Sequence, residues 1–389
     1  MLDRVEVVLV LIPVVLYLYA YLGYPALLLA LRLFRPAPRE WPEPEIWPAI
    51  SIVVPAHNEE RAIRRTIESL LELEYPAQRR QILIISDAST DGTNDIVREY
   101  AGEGVELLSL PQRSGKTAAE NAALLLLRGS IVVNTDATIR ILPSALKPLI
   151  RVFQDPTIGV ASGRDVSVGD LAEEVGLGES GYVGYEMWVR SLETRVGSIV
   201  GASGCFYAIR RELHEALVPA ALSRDFASAL TARENGLRAV SVDEAVCLVP
   251  RATSLRREYT RKIRTMARGL ETLWYKKHLL NPFRHGMFAW MLASHKLARW
   301  VIFLAVPIGT IALVMLSRES LAAAGVLGVA VVGSILGLIA LRAPEGKPLP
   351  RFLRLCGFVL ATHVAGFLAW TQALRGELNP IWEPTRRSV

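Results

Sequence analysis

An α/β domain with a mostly parallel sheet, set between transmembrane helices, is the fold class the sequence predicts. Three observations predict it. Between Ile50 and Asp136, four short apolar runs are each followed by a polar turn and a helix-like pattern. Strands that alternate with helices in this way imply βαβ units around a buried parallel sheet. Long uncharged runs lie at both ends of the chain, as Val7–Leu31, Trp300–Ser317, Ser320–Leu341 and Leu355–Leu374. The 389 residues are 51% hydrophobic with a mean hydropathy of +0.29, too apolar for a soluble chain alone.

The elements follow in order. Val7–Leu31 as a helix is about 37 Å long, against about 30 Å of bilayer hydrocarbon. It is too long for a signal-peptide core, and no small-residue cleavage site follows it. Residues 1–34 are therefore predicted to be a retained transmembrane helix. The proline-rich residues 35–48 read as a linker. Residues 49–283 form the α/β domain, 284–299 an interfacial helix with mixed aromatic and basic residues, 300–375 about three further spans, and 376–389 a tail.

Basic residues orient the chain. Arg32, Arg35 and Arg39 follow the first span, which places the central domain on the cytoplasmic face of the cell's inner membrane. Arg342, Lys347, Arg351 and Arg354 form a second basic loop on that face, so counting spans puts the C-terminus, with Arg386 and Arg387, outside. The remaining basic residues of Arg256–Lys277 read as a solvated face over the anionic lipid bilayer, and no nucleic-acid partner is expected. Cys205, Cys247 and Cys356 match no zinc spacing and are expected to be reduced.

Within the domain, each predicted strand ends in a polar cluster. Ligands in such sheets bind beyond the carboxyl ends of the strands, so the four clusters are expected to converge. Pro55, Ala56, His57, Asn58 and Glu59 end the first run, with Asn58 expected to cap the helix that follows. Asp87 ends the second run, at a position where a carboxylate can accept hydrogen bonds from a nucleobase or ribose, and Asp91 is a good helix cap. The third cluster, Ser114–Thr117, looks like the tail of a phosphate loop. The first glycine of that motif would fall at Leu110, which excludes it, yet Lys116 can still meet a diphosphate as a point charge. Asp136 ends the fourth run as a helix cap or a metal ligand. One carboxylate plus substrate phosphates is a usual way to hold Mg²⁺.

Together these clusters resemble the family 2 glycosyltransferases of the GT-A (Rossmann-like) fold, the group of cellulose, hyaluronan and poly-N-acetylglucosamine synthases. Pro55–Glu59 resembles the family's P-x-x-N-E turn, Asp87–Thr93 its D-x-S-x-D-G-T turn, and Gly115–Asn121 its G-K-x-x-A-x-N segment. The resemblance covers roughly Ala49 to Arg284. It implies an inverting enzyme that transfers a sugar from a nucleoside-diphosphate donor, uridine diphosphate in the family, to a polysaccharide or a lipid. Pro55, Ala56, Asn58, Glu59, Asp87, Lys116 and Asp136 would hold the nucleotide sugar, and Asp136 would also hold Mg²⁺ or Mn²⁺. The second aspartate of the family's D-x-D motif is Thr138 here.

On the acceptor side, the glycine-rich run Gly201, Ser203, Gly204, Cys205 resembles the segment lining the acceptor site, with a plain tight turn as the alternative. Asp225 matches the aspartate of the family's T-E-D motif, its general base, although both preceding residues differ; a helix cap is the other reading. In the basic stretch Arg256–Lys277, Arg261, Arg264 and Arg268 share one helical face while Tyr259, Ile263, Met266, Leu270 and Leu273 share another. Arg264 matches the arginine of the family's Q-x-x-R-W motif, and Arg261 and Arg264 could clamp a diphosphate. Thr265 replaces the tryptophan that stacks on the acceptor sugar in processive synthases. That replacement favours a non-processive enzyme with a ceramide- or polyprenol-type lipid acceptor. A non-catalytic membrane scaffold that only binds nucleotide is the remaining alternative.

Overall fold

A computed structural model describes residues 2–35, 41–168, 177–215, 218–250, 255–344 and 349–376. The expected tail, Arg386, Arg387 and Lys347 lie outside the described residues. The chain divides into two compact units. The sheet unit spans Phe34–Arg251 and Glu271–Leu279, and the helix unit Met1–Leu33, Ala252–Leu270 and Leu280–Glu377.

The sheet unit is built on eight strands: β1 (Ile50–Ala56), β2 (Arg80–Ser86), β3 (Val105–Ser109), β4 (Ile131–Thr135), β5 (Arg140–Ile141), β6 (Ile158–Val168), β7 (Phe206–Arg210) and β8 (Arg238–Pro250). Their order across the sheet is β3-β2-β1-β4-β7-β6-β8-β5. The first four are mutually parallel, β7 runs antiparallel to both its neighbours, and β6 and β8 are parallel. This is the mostly parallel sheet the sequence predicts, with the antiparallel β7 reached through the glycine-rich run at 201–205.

The continuous apolar runs have a simple cause. Successive side chains on a strand point to opposite faces, and both faces of this sheet are covered. Ile50, Ile52, Val54, Ile82, Ile84, Ile131 and Val133 enter one core with Ile63, Ile67 and Leu70. Val53, Leu83, Ile85 and Val132 enter a second core with Ala119, Ala123 and Tyr207. Pro55 fits in β1 because the β4 ladder ends at the Val53 and Asn134 pair, so its missing N–H faces no partner strand.

The expected linker is only partly a spacer. Residues 36–40 lie outside the described residues, but Trp41 and Trp47 pack on the first core and the Tyr75 hydroxyl donates to the Pro48 carbonyl at 2.5 Å.

In the helix unit, four helices are long and apolar enough to cross a membrane: Arg4–Arg32, Met287–Leu316, Leu321–Arg342 and Arg351–Arg375. Small residues let them approach closely. A Cβ at Gly309 would lie 2.9 Å from Pro13, and one at Gly337 2.8 Å from the Cys356 carbonyl. The stretch expected as an interfacial helix, 284–299, leads into the second of these helices. Gly286, at φ +54, breaks the chain, and residues from Met287 onward run straight into the second long helix. Three of its polar residues are buried: His295 and Arg299 are almost fully covered, with Arg299 over the Tyr21 ring at 5.0 Å, and Ser294 is hydrogen-bonded to the Tyr19 hydroxyl at 2.6 Å.

Gly129 precedes β4 and is buried against β1, donating its N–H to Ser51 Oγ at 2.8 Å. A Cβ there would overlap the backbone of Ile50 and Ser51. Gly129→Ala is expected to cost about 1–3 kcal/mol by forcing the two strands apart. Thermal unfolding in detergent measures this, and an unchanged midpoint would contradict the packing described.

Candidate active site

The site is assembled at the carboxyl ends of β1, β2 and β4. Its first two loops are laced together. Asp87 N–H donates to the Ala56 carbonyl at 2.8 Å, and His57 Nδ1 lies 2.7 Å from the Asp87 carbonyl. Asn58, at φ +54, accepts from Thr90 N–H at 2.8 Å through Oδ1, and its own N–H donates to Ser89 Oγ at 3.1 Å. Glu59 N–H donates to Thr93 Oγ1 at 2.8 Å. Asn58 therefore does not cap its own helix, which begins later, at Ile63. Asp91 accepts from Thr93 N–H at 3.0 Å and also from Glu60 N–H at 3.1 Å, so it both turns the chain and ties the loops. Burial pushes the Asp91 carboxyl up, but these donated hydrogen bonds outweigh it and leave it below its ordinary value. Pro55 and Ala56 are buried strand residues, so any contact they make with a ligand runs through the backbone.

Asp87 is buried, and both its oxygens are engaged. Oδ1 accepts from Ser114 N–H at 2.7 Å and Oδ2 from Gly115 N–H at 2.8 Å. The residue expected to meet a nucleoside thus first fixes the third loop. Gly115, at φ +90, takes a conformation suited to glycine, and Lys116 opens the next helix.

Lys116 Nζ lies 2.5 Å from Asp136 Oδ1, in an ion pair whose side chains are 22% and 24% exposed, and donates to the Gly204 carbonyl at 3.3 Å. Gly204 has no room for a side chain, because its Cβ would lie 2.9 Å from Asp225 Oδ2. Five residues expected from sequence to matter, Asp87, Lys116, Asp136, Gly204 and Asp225, are therefore linked in one chain of contacts. Asp225 is half-buried at the second position of the helix Arg224–Glu234 and accepts from Ser223 Oγ at 2.5 Å. Ser223 holds the N-cap position, so the cap reading of Asp225 is set aside.

The remaining acceptor-side residues form a support. Ser203 N–H donates to Ser162 Oγ, its Oγ donates to the Asp165 carboxylate at 2.6–2.7 Å, and Cys205 N–H donates back to Ser203 Oγ. Thr135 Oγ1 donates to the Cys205 carbonyl at 2.8 Å, joining the turn to β4. Gly201 begins this turn and is buried.

Sequence reasoning missed the charges behind the site. Glu120 and Arg224 are both buried and lie 3.3 Å apart; Arg224 also donates to the Asn121 side chain and to the His214 carbonyl at 3.1 Å. Burial pushes the Glu120 carboxyl up, with Lys116 and Arg224 opposing it. Burial, then Arg224, holds His214 well below its ordinary value, which keeps its ring neutral. Burial raises Asp165 as well. For Lys116, burial acts downward, but Asp136, Glu120 and Asp225 outweigh it and push the ammonium up, so it stays charged. The signal for Glu120 was its position four residues after Lys116, on the same helix face.

Arg261 and Arg264 belong to the helix unit. Among the described residues, no group of three His, Cys, Asp or Glu side chains could hold a metal. Asp136 offers one carboxylate, with Oδ1 already on Lys116. That donor set fits an ion shared with nucleotide phosphates, as Mg²⁺ commonly is, and does not fit an ion held by protein alone.

Residues 51–218 match the model of the family described as glycosyl transferase family 2. A beta-monoglucosyldiacylglycerol synthase from Nostoc sp. is 30% identical over 169 residues, 42% of this chain and 36% of that protein. A dolichyl-phosphate beta-glucosyltransferase from Trichomonas vaginalis is 35% identical over 105 residues, 24% of this chain and 31% of that protein. The chain thus spans about a third of the length of these curated relatives. The solved mannosyltransferase PcManGT from Pyrobaculum calidifontis, in complex with GDP-Man and Mn²⁺, superposes with a TM-score of 0.72 at 22% identity, covering 97% of this chain and 100% of that one. The fold is the GT-A fold.

Asp87→Asn replaces one acceptor by an amide NH₂ facing a backbone N–H. Hydrogen bonds to charged groups contribute about 1.5–3 kcal/mol each. The variant is expected to free the Ser114 and Gly115 amides, seen as faster hydrogen exchange at both than in the parent. Equal protection would show that the carboxylate does not hold this loop.

Proposed function

We propose that this family 2 glycosyltransferase domain transfers a sugar, with inversion, from a nucleoside-diphosphate donor to a lipid acceptor at the cytoplasmic face of a membrane. The observation that carries the reading is the convergence of Asp136 and Asp225 on Lys116 and Gly204, at the carboxyl ends of the strands. The laced loops at Asn58 and Asp87 form a rigid floor for the nucleotide, and Lys116 supplies a positive charge for the diphosphate as it departs. Asp225, on the other side of Gly204, takes the proton of the acceptor hydroxyl as its oxygen bonds to the anomeric carbon. The bond from that carbon to the diphosphate oxygen breaks on the opposite face. Asp136 would hold Mg²⁺ or Mn²⁺, which when bound neutralises charge on the leaving nucleotide.

A lipid acceptor is favoured over a polymer. Thr265 stands where processive synthases carry tryptophan, and two relatives are named for lipid products or acceptors. Four helices able to cross a membrane, and Arg32 and Arg35 after the first, support placing the domain on the cytoplasmic side.

Radiolabelled UDP- and GDP-sugars offered with membrane lipids, followed by separation of lipid from polymer, test the reaction. Asp225→Asn keeps the shape of the side chain and leaves Ser223 at the N-cap position. It is expected to lower transfer by about 10²–10⁴-fold while nucleotide affinity stays within a few-fold of the parent. Turnover close to that of the parent would remove Asp225 from the mechanism.

A further inference from the structure

The environment of the Lys116 ammonium is that of a hard cation. Nζ takes a carboxylate oxygen of Asp136 at 2.5 Å and the Gly204 carbonyl at 3.3 Å. The buried Glu120 carboxylate lies one helical turn along, and Asp225 packs against Gly204. One carboxylate oxygen of Asp136 is thus already paired with a positive charge from the protein itself. A dication placed beside this ion pair would meet a like charge in a partly buried site, where charges interact more strongly than in water. A nucleoside diphosphate changes that balance, because its oxygens bind the metal and attract the ammonium at the same time. The lysine has a flexible four-carbon stem and three donors, so it can leave Asp136 for a phosphate oxygen without moving the backbone.

We propose that Lys116 is the resident counter-ion of Asp136, so that a divalent metal enters this site only together with the nucleotide. The inference rests on the reading of Asp136 as the metal-holding residue. Metal and nucleotide then bind as one coupled event, and the free protein carries no metal at micromolar supply. Asp136 stays paired between turnovers instead of standing as an open carboxylate.

Titration with Mn²⁺, followed by loss of the free-ion electron paramagnetic resonance signal, tests this on the full chain in detergent. The parent is expected to bind Mn²⁺ weakly alone and more tightly with UDP or GDP present. Lys116→Met should bind Mn²⁺ alone at least about tenfold more tightly than the parent, since a contacting positive charge is gone. Adding Asp136→Asn to that variant should abolish the gain. Lys116→Gln serves if the Met variant does not fold, as judged by its thermal transition. If both lysine variants bind Mn²⁺ no better than the parent, while the parent still binds it with nucleotide, the counter-ion role is wrong and the metal reading stands. If the parent binds Mn²⁺ equally well without nucleotide, the coupling is also wrong. If the parent binds none with either nucleotide, the metal reading of Asp136 fails and the inference falls with it.

Discussion

A buried carboxylate has to be satisfied by the protein, and Asp87 is satisfied by two successive backbone amides. Much of the site depends on that one clamp. The amides belong to the loop after β3, and gripping them fixes Gly115 at a positive φ of +90. That conformation starts the next helix at Lys116, and the direction of that helix carries Nζ to Asp136. The ion pair in turn reaches the Gly204 carbonyl, against which Asp225 packs. Three strand tips and the start of a helix are thereby held in one geometry by contacts that all begin at the end of β2.

The fold was legible in the sequence because both faces of the sheet are buried. Strands covered on both faces must be apolar along their length, so runs such as Ile131–Asn134 stand out without any periodic signal. The positions of Asp87 and Asp136 were legible for a related reason: polar residues directly after such runs have to sit at strand ends, whereas Lys116 and Asp225 stood out through their resemblance to family segments. What could not be read was which partner each polar group chooses. Asn58 and Asp91 look like helix caps because a cap is the nearest local use for an Asn or Asp. Asn58 instead pairs with Thr90, more than thirty residues away, and Asp91 adds to its local turn at Thr93 a bond from Glu60 across the gap between two loops. Glu120 and Arg224, a hundred residues apart, meet only after β4, β7 and two helices have packed. In the helix unit, His295 and Arg299 looked interfacial because charge next to aromatic residues usually is. Burial against Tyr21 and Tyr24 gives them a different setting.

Chemistry in this protein is thus divided between local and distant causes. The floor formed by the first two loops is set by hydrogen bonds that involve backbone groups, which tolerate many side chains elsewhere in the unit. The glycine turn and the start of the Arg224–Glu234 helix depend on a few specific side chains, among them Ser203, Asp165 and Arg224, each of which serves several partners. Loss of one such hub removes more than one contact, because each shares its partners with its neighbours.

The antiparallel ladder of β4 and β7 pairs Thr135 with Phe206, so the turn that ends at Cys205 finishes level with Asp136. This ladder acts as a length gauge between the two halves of the site. A strand advances about 3.4 Å per residue, and a shift of one place also turns every side chain to the opposite face. No intermediate setting exists, so the spacing between the glycine turn and Asp136 comes in whole steps. Sequence drift in the loops can change what the pocket accepts, but the distance across it can change only by refolding the ladder.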